Sequence, residues 1–296
     1  MAISVNQNVK LSRHDSYISA DFRAMASPCE FLFDTLDKSL AGSLAEKGVE
    51  EVQRIEDKFS RYKQDNLCFA INNAKGARVD IDDECYRLLD FANTCFELSN
   101  GMFDLTSGVL RRAWRFDCSD NVPHQRQIDA LLPLVGWQKV VFDKNTIQMK
   151  TGMEIDFGGI GKEYAVSAVN DMFRTLAPDL SVLVNLGGDI QITTPRKAGQ
   201  PWHVGIENHS HVIPIFHGAL ATSGDAKRYL LKDGRRYSHI LNPKTGWPIA
   251  NAPSSITTHA PLCVQAGCLA TLGLLNGKEA ELFLNNQEVK YWCTHT

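Results

Sequence analysis

The sequence predicts an α+β protein with largely antiparallel sheets, flanked by helices and gathered into two lobes. Three observations carry this reading. Strand signals cluster and helix signals cluster, with no strict strand–helix–strand alternation. The strand signals are short and are punctuated by glycine-rich turns. The composition, 44% hydrophobic and 22% charged over 296 residues, belongs to an ordinary folded chain able to bury a sizeable core. No Pro-, Gly- or Ser-rich linker divides the chain. A single domain over residues 19–296 is therefore expected, preceded by a flexible tail at 1–18.

Taken in order, residues 25–33 are apolar enough for a strand. Residues 35–62 carry Leu40, Leu44, Val52, Ile55 and Phe59 near helical spacing, which predicts a long amphipathic helix. A second helix is expected at 82–98, with Leu88, Phe91, Cys95 and Leu98 on one face. Asp82 or Asp83 would cap its start, and Asn100-Gly101 would end it. Residues 102–116 read as a loop, 125–135 as a short helix, and 137–142 with 145–150 as a hairpin. Residues 154–157 are expected to be a strand running into Gly158-Gly159, followed by a helix at 162–176. A buried strand at 181–186 ends at Gly187-Gly188. Short strands and turns fill 202–256, and a last helix at 264–275 stops at Asn276-Gly277.

Charge and composition narrow the function. The net charge is −3, so nothing marks a nucleic-acid partner or an anionic membrane surface. The longest apolar runs are far shorter than the roughly 20 residues of a membrane-spanning helix. The first 22 residues are polar and mixed in charge, without the apolar stretch and small-residue site of a secretion signal. The eight cysteines form no CxxC pair, and they read as free thiols of a reducing compartment. A cytoplasmic location is expected.

Four segments hold groups suited to chemistry. Asp156-Phe157-Gly158-Gly159-Ile160-Gly161-Lys162 sets three glycines between an expected strand and a helix. Backbone can approach a ligand closely there, and a helix N-terminus favours anions. The pattern is neither GxGxxG nor a P-loop. Asn185-Leu186-Gly187-Gly188-Asp189 ends a buried strand in two glycines and an acid. Ala221-Thr222-Ser223-Gly224-Asp225, with Tyr237 to Gly246 further on, gathers Ser, Asp, His and Lys near turns. Asp225 and His239 are both candidates for acid–base work, and no GxSxG elbow accompanies them. Gly101-Met102-Phe103-Asp104-Leu105-Thr106 puts apolar and aromatic groups beside a carboxylate, which suits a planar heterocycle. Each segment, alone, is equally compatible with a turn or a core edge.

Together, and in this order, the segments resemble the ApbE family of FAD:protein FMN transferases. Met25-Ala26-Ser27 stands where that family has Met-Gly-Thr, and Ser60-Arg61-Tyr62 to Asn72 looks like its Ser-x-Tyr-x-x-Asp stretch. Gly101 to Thr106 is similar to Gly-Ala-Phe-Asp-Pro-Thr, and Asp156 to Tyr164 to Asp-Leu-Gly-Gly-Ile-Ala-Lys-Gly-Tyr. Asn185 to Asp189 and Ala221 to Asp225 match as they stand. The stretch from Tyr237 to Gly246 matches with Asn242 in place of an acid.

The resemblance implies an α+β fold with FAD between two lobes, and Mg²⁺-dependent transfer of FMN from FAD to a Ser or Thr of a target flavoprotein, with release of AMP. A catalytically impaired FAD-binding protein, or an FAD pyrophosphatase giving FMN and AMP, are the alternatives it leaves. By position it implies that Met25, Tyr62, Met102, Phe103, Asp104, Gly158, Tyr164 and Ile240 line the FAD site. Lys162 would bring charge to the phosphates, and His239 or Asp225 would take the proton. It implies that Thr271 and the carbonyl of Gly161 bind the metal. Gly267 stands where the family's last helix carries its metal-binding Asp. Glu163 and Asp189 are candidate replacements. A Gly267→Asp change is expected to strengthen metal binding, unless Glu163 already takes the lost ligand's place, in which case it should add little or crowd the site.

Overall fold

In the computed structural model, which describes residues 9–206, 212–225 and 228–295, apolar alternation along each strand sorts side chains between two cores. Val182, Val184 and Leu186 face one core, while Leu183 faces the other. Ala219 and Ala221 face the first, and Leu220 the second. Strands buried on both faces read as continuous apolar runs, and period-two geometry divides those runs.

Eight of the strands form the main sheet, in the order Lys10–Arg13, Ile18–Ala24, Ser27–Phe33, Val182–Leu186, Asp189–Ile192, Gly218–Gly224, Ser255–Ala260 and Lys290–Thr294. Every neighbouring pair is antiparallel. The helices Lys38–Phe59, Gly161–Leu176 and Cys263–Leu275 cover one face. On the other, the ribbon of Trp202–Gly205 and Val212–Ile215 packs Trp202, Val204 and Ile215 onto Leu183, Ile190, Ile192 and Leu220. A smaller core of Val109, Leu110, Trp114, Ile128, Val135 and Leu230 lies apart from the sheet. It is tied by the Trp114 indole, which donates to the Gly246 carbonyl at 2.8 Å.

The expected elements are present with shifted ends. The long helix runs Lys38–Phe59, capped by Asp37, whose carboxylate accepts from the amides of Ser39 and Leu40. The next runs Asp83–Leu98 from an Asp82 cap, and Asn100 and Gly101 then turn with φ of 51° and 80°. The last long helix is Cys263–Leu275, ending at Asn276 and Gly277. Residues 102–116 are more ordered than a loop, because Leu105–Arg112 is a 3₁₀ helix. The segment expected as a helix at 125–135 splits into Gln125–Asp129 and a 3₁₀ turn at Leu132–Leu134.

Two expectations are corrected. Residues 10–13, assigned above to the tail, form an edge strand against Ile18–Ala24, while residues 1–8 lie outside the described residues. Residues 154–157 are not a strand. The backbone of Ile155 pairs with a side chain instead: its amide donates to Asn72 Oδ1 at 2.7 Å, and its carbonyl accepts from Asn72 Nδ2 at 3.0 Å. Asp156 then caps the 3₁₀ turn Phe157–Gly159 through its bond from the Gly158 amide.

Two tight hairpins bring the functional segments to one end of the sheet. Met25 and Ala26, with φ of 49° and 58°, join the strands paired at Ala24 and Ser27. Gly187 and Gly188, with φ of 66° and 102°, join those paired at Leu186 and Asp189. Left-handed φ at both central residues is the twist a two-residue hairpin demands. The turns touch, since the Gly187 amide donates to the Pro28 carbonyl at 3.0 Å.

Helix–helix packing sets how Gly161–Leu176 is aimed. Gly48, in the middle of the Lys38–Phe59 helix, leaves room for Phe173 and Phe31. A Cβ there would lie 2.6 Å from a ring carbon of each. In an exposed helix Gly→Ala gains about 0.5–1 kcal/mol. Here overpacking should win, and Gly48→Ala should lower unfolding stability by about 1–3 kcal/mol. Urea denaturation checks this, and a gain in stability would contradict the packing described.

Candidate functional site

The hairpin turns, the start of the Gly161–Leu176 helix and the end of Gly218–Gly224 surround a cleft of about 720 Å³. Lys162 lines it, and behind Lys162 lies Asp189, 1% exposed. Asp189 Oδ2 accepts from Lys162 Nζ at 2.6 Å, and its Oδ1 accepts from the Thr222 amide at 3.3 Å. A carboxylate this buried needs a partner. The pair in turn fixes the ammonium at the cleft floor. Burial disfavours the Lys162 charge, but Asp189 and Glu163 outweigh it and raise the pKa above the ordinary lysine value. Lys162 is therefore a permanent cation.

His239 also lines the cleft. Its Nδ1 lies 3.1 Å from the Arg228 carbonyl. A carbonyl only accepts, so Nδ1 carries the proton and Nε2 keeps the free lone pair. Burial, then the guanidiniums of Arg228 and Arg111, lower the ring pKa to about 4. The imidazole is thus a neutral base at physiological pH.

Of the other residues singled out in the sequence, Met102, Phe103, Asp104, Gly158, Ile240 and Thr271 line the same cleft. Asp104 has a structural task there. Its carboxylate accepts from the Thr106 amide at 2.7 Å, the Thr106 hydroxyl at 2.5 Å and the Trp137 amide at 3.0 Å. Burial raises its pKa, and these bonds oppose the rise. The Gly158 amide is already spent on Asp156 Oδ1, at 2.9 Å, so that glycine offers the cleft room rather than a free donor. Gly161 opens the helix that carries Lys162. The Thr271 hydroxyl shares a 2.7 Å hydrogen bond with Ser223.

Gly161, Asp225, Tyr164, Tyr62 and Met25 lie outside the lining. Asp225 is held by Arg236, at 3.1 Å from both Nε and Nη2. Both of its oxygens are thus occupied by that guanidinium and it does not face the cleft, which ranks His239 above it. The Tyr164 hydroxyl donates to Glu84 Oε1 at 2.7 Å, and its ring packs edge-on against Phe59. Tyr62 is 76% exposed and its hydroxyl accepts from Arg111 Nη1 at 3.3 Å. Met25 contributes the turn: its amide donates to Glu56 Oε2 at 2.8 Å, leaving Ala26 and Ser27 to face the cleft.

Sequence reading missed Arg111, Arg228 and Phe116, which also line the cleft. Arg111 is placed by Asp156, 3.3 Å from its Nε, and Arg61 braces the same carboxylate at 3.2 Å. Such long-range pairing leaves no local pattern in the chain. Among the described residues, no three His, Cys, Asp or Glu side chains gather as a metal cluster. The oxygen donors at the cleft wall come instead from different chemical groups, the Thr271 hydroxyl and the Glu163 carboxylate, both of which line it. Glu163 is 7% exposed, and burial and Asp189 raise its pKa against the opposing pull of Lys162.

A permanently charged lysine, a neutral histidine and two arginines facing one cleft define a site for a polyanionic ligand. The chain belongs to the ApbE family, whose pattern matches residues 22–292. It is 28% identical to a Vibrio cholerae protein named FAD:protein FMN transferase, over 77% of this chain and 72% of that one. A Chlamydia pneumoniae protein of the same name is 30% identical over 66% of this chain and 63% of its own length. The crystal structure of the ApbE protein from Thermotoga maritima superimposes with a TM-score of 0.84, at 30% identity and covering 94% of each chain. A Pseudomonas stutzeri structure described as a flavinyl transferase, 23% identical, has the same fold, with a TM-score of 0.83, 98% of this chain and 92% of that one covered.

The histidine pKa gives a direct check. In NMR titration of ring-labelled protein without ligand, the His239 resonance should stay in the neutral form from pH 8 to below pH 5, with its midpoint near 4. A midpoint at or above the ordinary value of about 6.5 would contradict the environment described.

Proposed function

We propose that this chain is an FAD:protein FMN transferase acting on a flavoprotein. The observation that carries the reading is the pairing, in one cleft, of a neutral His239 with a free Nε2 and a Lys162 ammonium pinned by Asp189. Phosphoryl transfer needs an activated hydroxyl and neutralised phosphate charge. His239 and Lys162 supply one each.

In this reading the diphosphate of FAD lies over Lys162, with Arg111 and Arg228 at the rim. Met102, Phe103 and Ile240 give the flavin a polarisable, apolar surface. A Ser or Thr hydroxyl of the acceptor approaches the FMN phosphorus, and its oxygen forms the new P–O bond. The bond to the bridging oxygen breaks, and the electron pair leaves with AMP. The hydroxyl proton passes to His239 Nε2. Arg228 holds the ring in the required tautomer through its carbonyl, and Lys162 offsets charge on the non-bridging oxygens.

The cleft wall also suits a hard cation. Thr271 in that wall, with the carbonyl of Gly161 next in sequence to the lining Lys162, would offer oxygen donors, as Mg²⁺ requires. When bound, Mg²⁺ would neutralise charge developing on the phosphoryl oxygens. We further place the reaction in the cytoplasm. Free cysteines support that location: six of the eight are buried as thiols, with Cys118 exposed and Cys293 half-buried. Among the described residues no helix is long and apolar enough to cross a membrane.

The test is incubation of the protein with FAD, Mg²⁺ and a candidate flavoprotein. FMN bound covalently to the acceptor, with one AMP released per adduct, supports the transferase. Free FMN and AMP without adduct would instead define a pyrophosphatase, and unchanged FAD a carrier. His239→Ala should retain FAD binding and lose about 10²–10⁴-fold in turnover. An unchanged rate would remove His239 from the chemistry.

A further inference from the structure

Among the described residues, four buried side-chain polar atoms lack a hydrogen-bond partner, and only one belongs to a carboxylate: Glu163 Oε2. The side chain is 7% exposed although it sits in the first turn of the Gly161–Leu176 helix. A glutamate there could reach solvent at little cost. Instead it turns inward and lines the cleft. The nearest cation offers incomplete relief, because Lys162 Nζ is committed to Asp189 at 2.6 Å. A buried carboxylate oxygen without a donor marks a place where a positive group is missing.

The space that Glu163 enters is made by the facing helix. A Cβ on Gly267 would lie 2.5 Å from Glu163 Cγ, 2.7 Å from Oε1 and 2.9 Å from Cδ. Gly267 is in the interior of the Cys263–Leu275 helix and buried. Glycine weakens a helix interior, and no positive φ requires it here. Room for Glu163 accounts for it. Positions 163 and 267 therefore exclude each other: one can carry a side chain into this volume only if the other does not. Of the two outcomes expected for Gly267→Asp, the geometry favours crowding, because the added side chain would meet Glu163.

Thr271 follows Gly267 by four residues, hence on the same face of its helix, and it too lines the cleft. The carbonyl of Gly161 lies two residues before Glu163. Glu163 and Thr271, from two facing helices, thus bring a carboxylate and a hydroxyl to one cleft, with the Gly161 carbonyl in the same first helical turn as Glu163, the donor chemistry of a hard divalent cation that completes its shell with water and phosphate.

We propose that Glu163 supplies the carboxylate ligand of a divalent-cation site between the Gly161–Leu176 and Cys263–Leu275 helices, and that position 267 is glycine to admit it. The inference rests on the transferase reading for what the cation does, but its test does not depend on turnover.

The test is a titration of the full chain with Mn²⁺, following free Mn²⁺ by electron paramagnetic resonance, with and without FAD. The wild type should bind one ion, more tightly with FAD present. Glu163→Gln should weaken binding by at least about tenfold, as loss of a ligand charge does. Gly267→Asp alone should bind no better than wild type and melt at a lower temperature. The double variant Glu163→Gly with Gly267→Asp, which moves the carboxylate to the opposite helix, should recover affinity to well above that of Glu163→Gly alone. If Glu163→Gln melts early, the comparison of the double variant with Glu163→Gly decides. Wild-type affinity in a folded Glu163→Gln, or a folded double variant no better than Glu163→Gly, overturns the proposal. FAD binding is read separately by flavin fluorescence. A wild type that binds FAD but no Mn²⁺ overturns this proposal and leaves the flavin reading standing. One that binds Mn²⁺ but no FAD does the reverse.

Discussion

The ion pair between Lys162 and Asp189 is the contact on which the site depends. Asp189 begins a sheet strand immediately after the Gly187-Gly188 turn, and Lys162 is the second residue of a helix packed on that sheet. Their 2.6 Å bond joins the two layers at the end of the sheet where the hairpins converge. A buried carboxylate without a partner would be costly, so each group holds the other in place. The helix start is thereby fixed, and with it the direction in which Glu163 and the Gly161 carbonyl face.

From that anchor the charges of the cleft arrange themselves by distance and burial. Cations collect where a polyanion would lie: Lys162 at the floor, Arg111 braced by Asp156, and Arg228 near His239. Burial, and then the same two guanidiniums, keep the His239 ring neutral. A ring that would titrate near pH 6.5 in isolation is thus held neutral further into acid by its burial and by the cations around it. The cations that give the cleft its positive potential also help keep its proton acceptor free, so the binding and chemical roles are linked.

Much of this was legible in the chain. Helical spacing located the Lys38–Phe59, Asp83–Leu98 and Cys263–Leu275 helices to within a few residues, because their apolar faces are broad and their caps are Asp, Asn or Gly. The glycine pairs that close the hairpin and the 3₁₀ turn marked the site, since few sequences other than turns place glycines between apolar runs. The strand Ile18–Ala24 was hidden. Its buried positions Ile18, Ala20, Phe22 and Ala24 alternate cleanly, but alanine carries little hydrophobic signal, and with Asp21 and Arg23 between them residues 19–24 were assigned to no element. Residues 154–157 have the apolar alternation of a strand, yet Asn72 pairs with the backbone of Ile155. Asn72 comes 83 residues earlier than Ile155, and no local pattern reports it. Arg111 was invisible for the same reason, and Glu163 was one of two candidate replacements for the acid missing at Gly267 until the fold showed its fit there. Both placements relate distant segments, and only the fold brings them together.

The central claim is that one cleft, floored by Lys162 and flanked by His239, receives the diphosphate of FAD. A crystal structure of the protein with bound FAD tests it most directly. The account predicts the diphosphate within hydrogen-bonding distance of Lys162 Nζ, with His239 Nε2 facing the FMN phosphate and the flavin against Met102 and Phe103. FAD bound elsewhere, or bound in the cleft with its diphosphate turned to solvent away from Lys162 and His239, would contradict it.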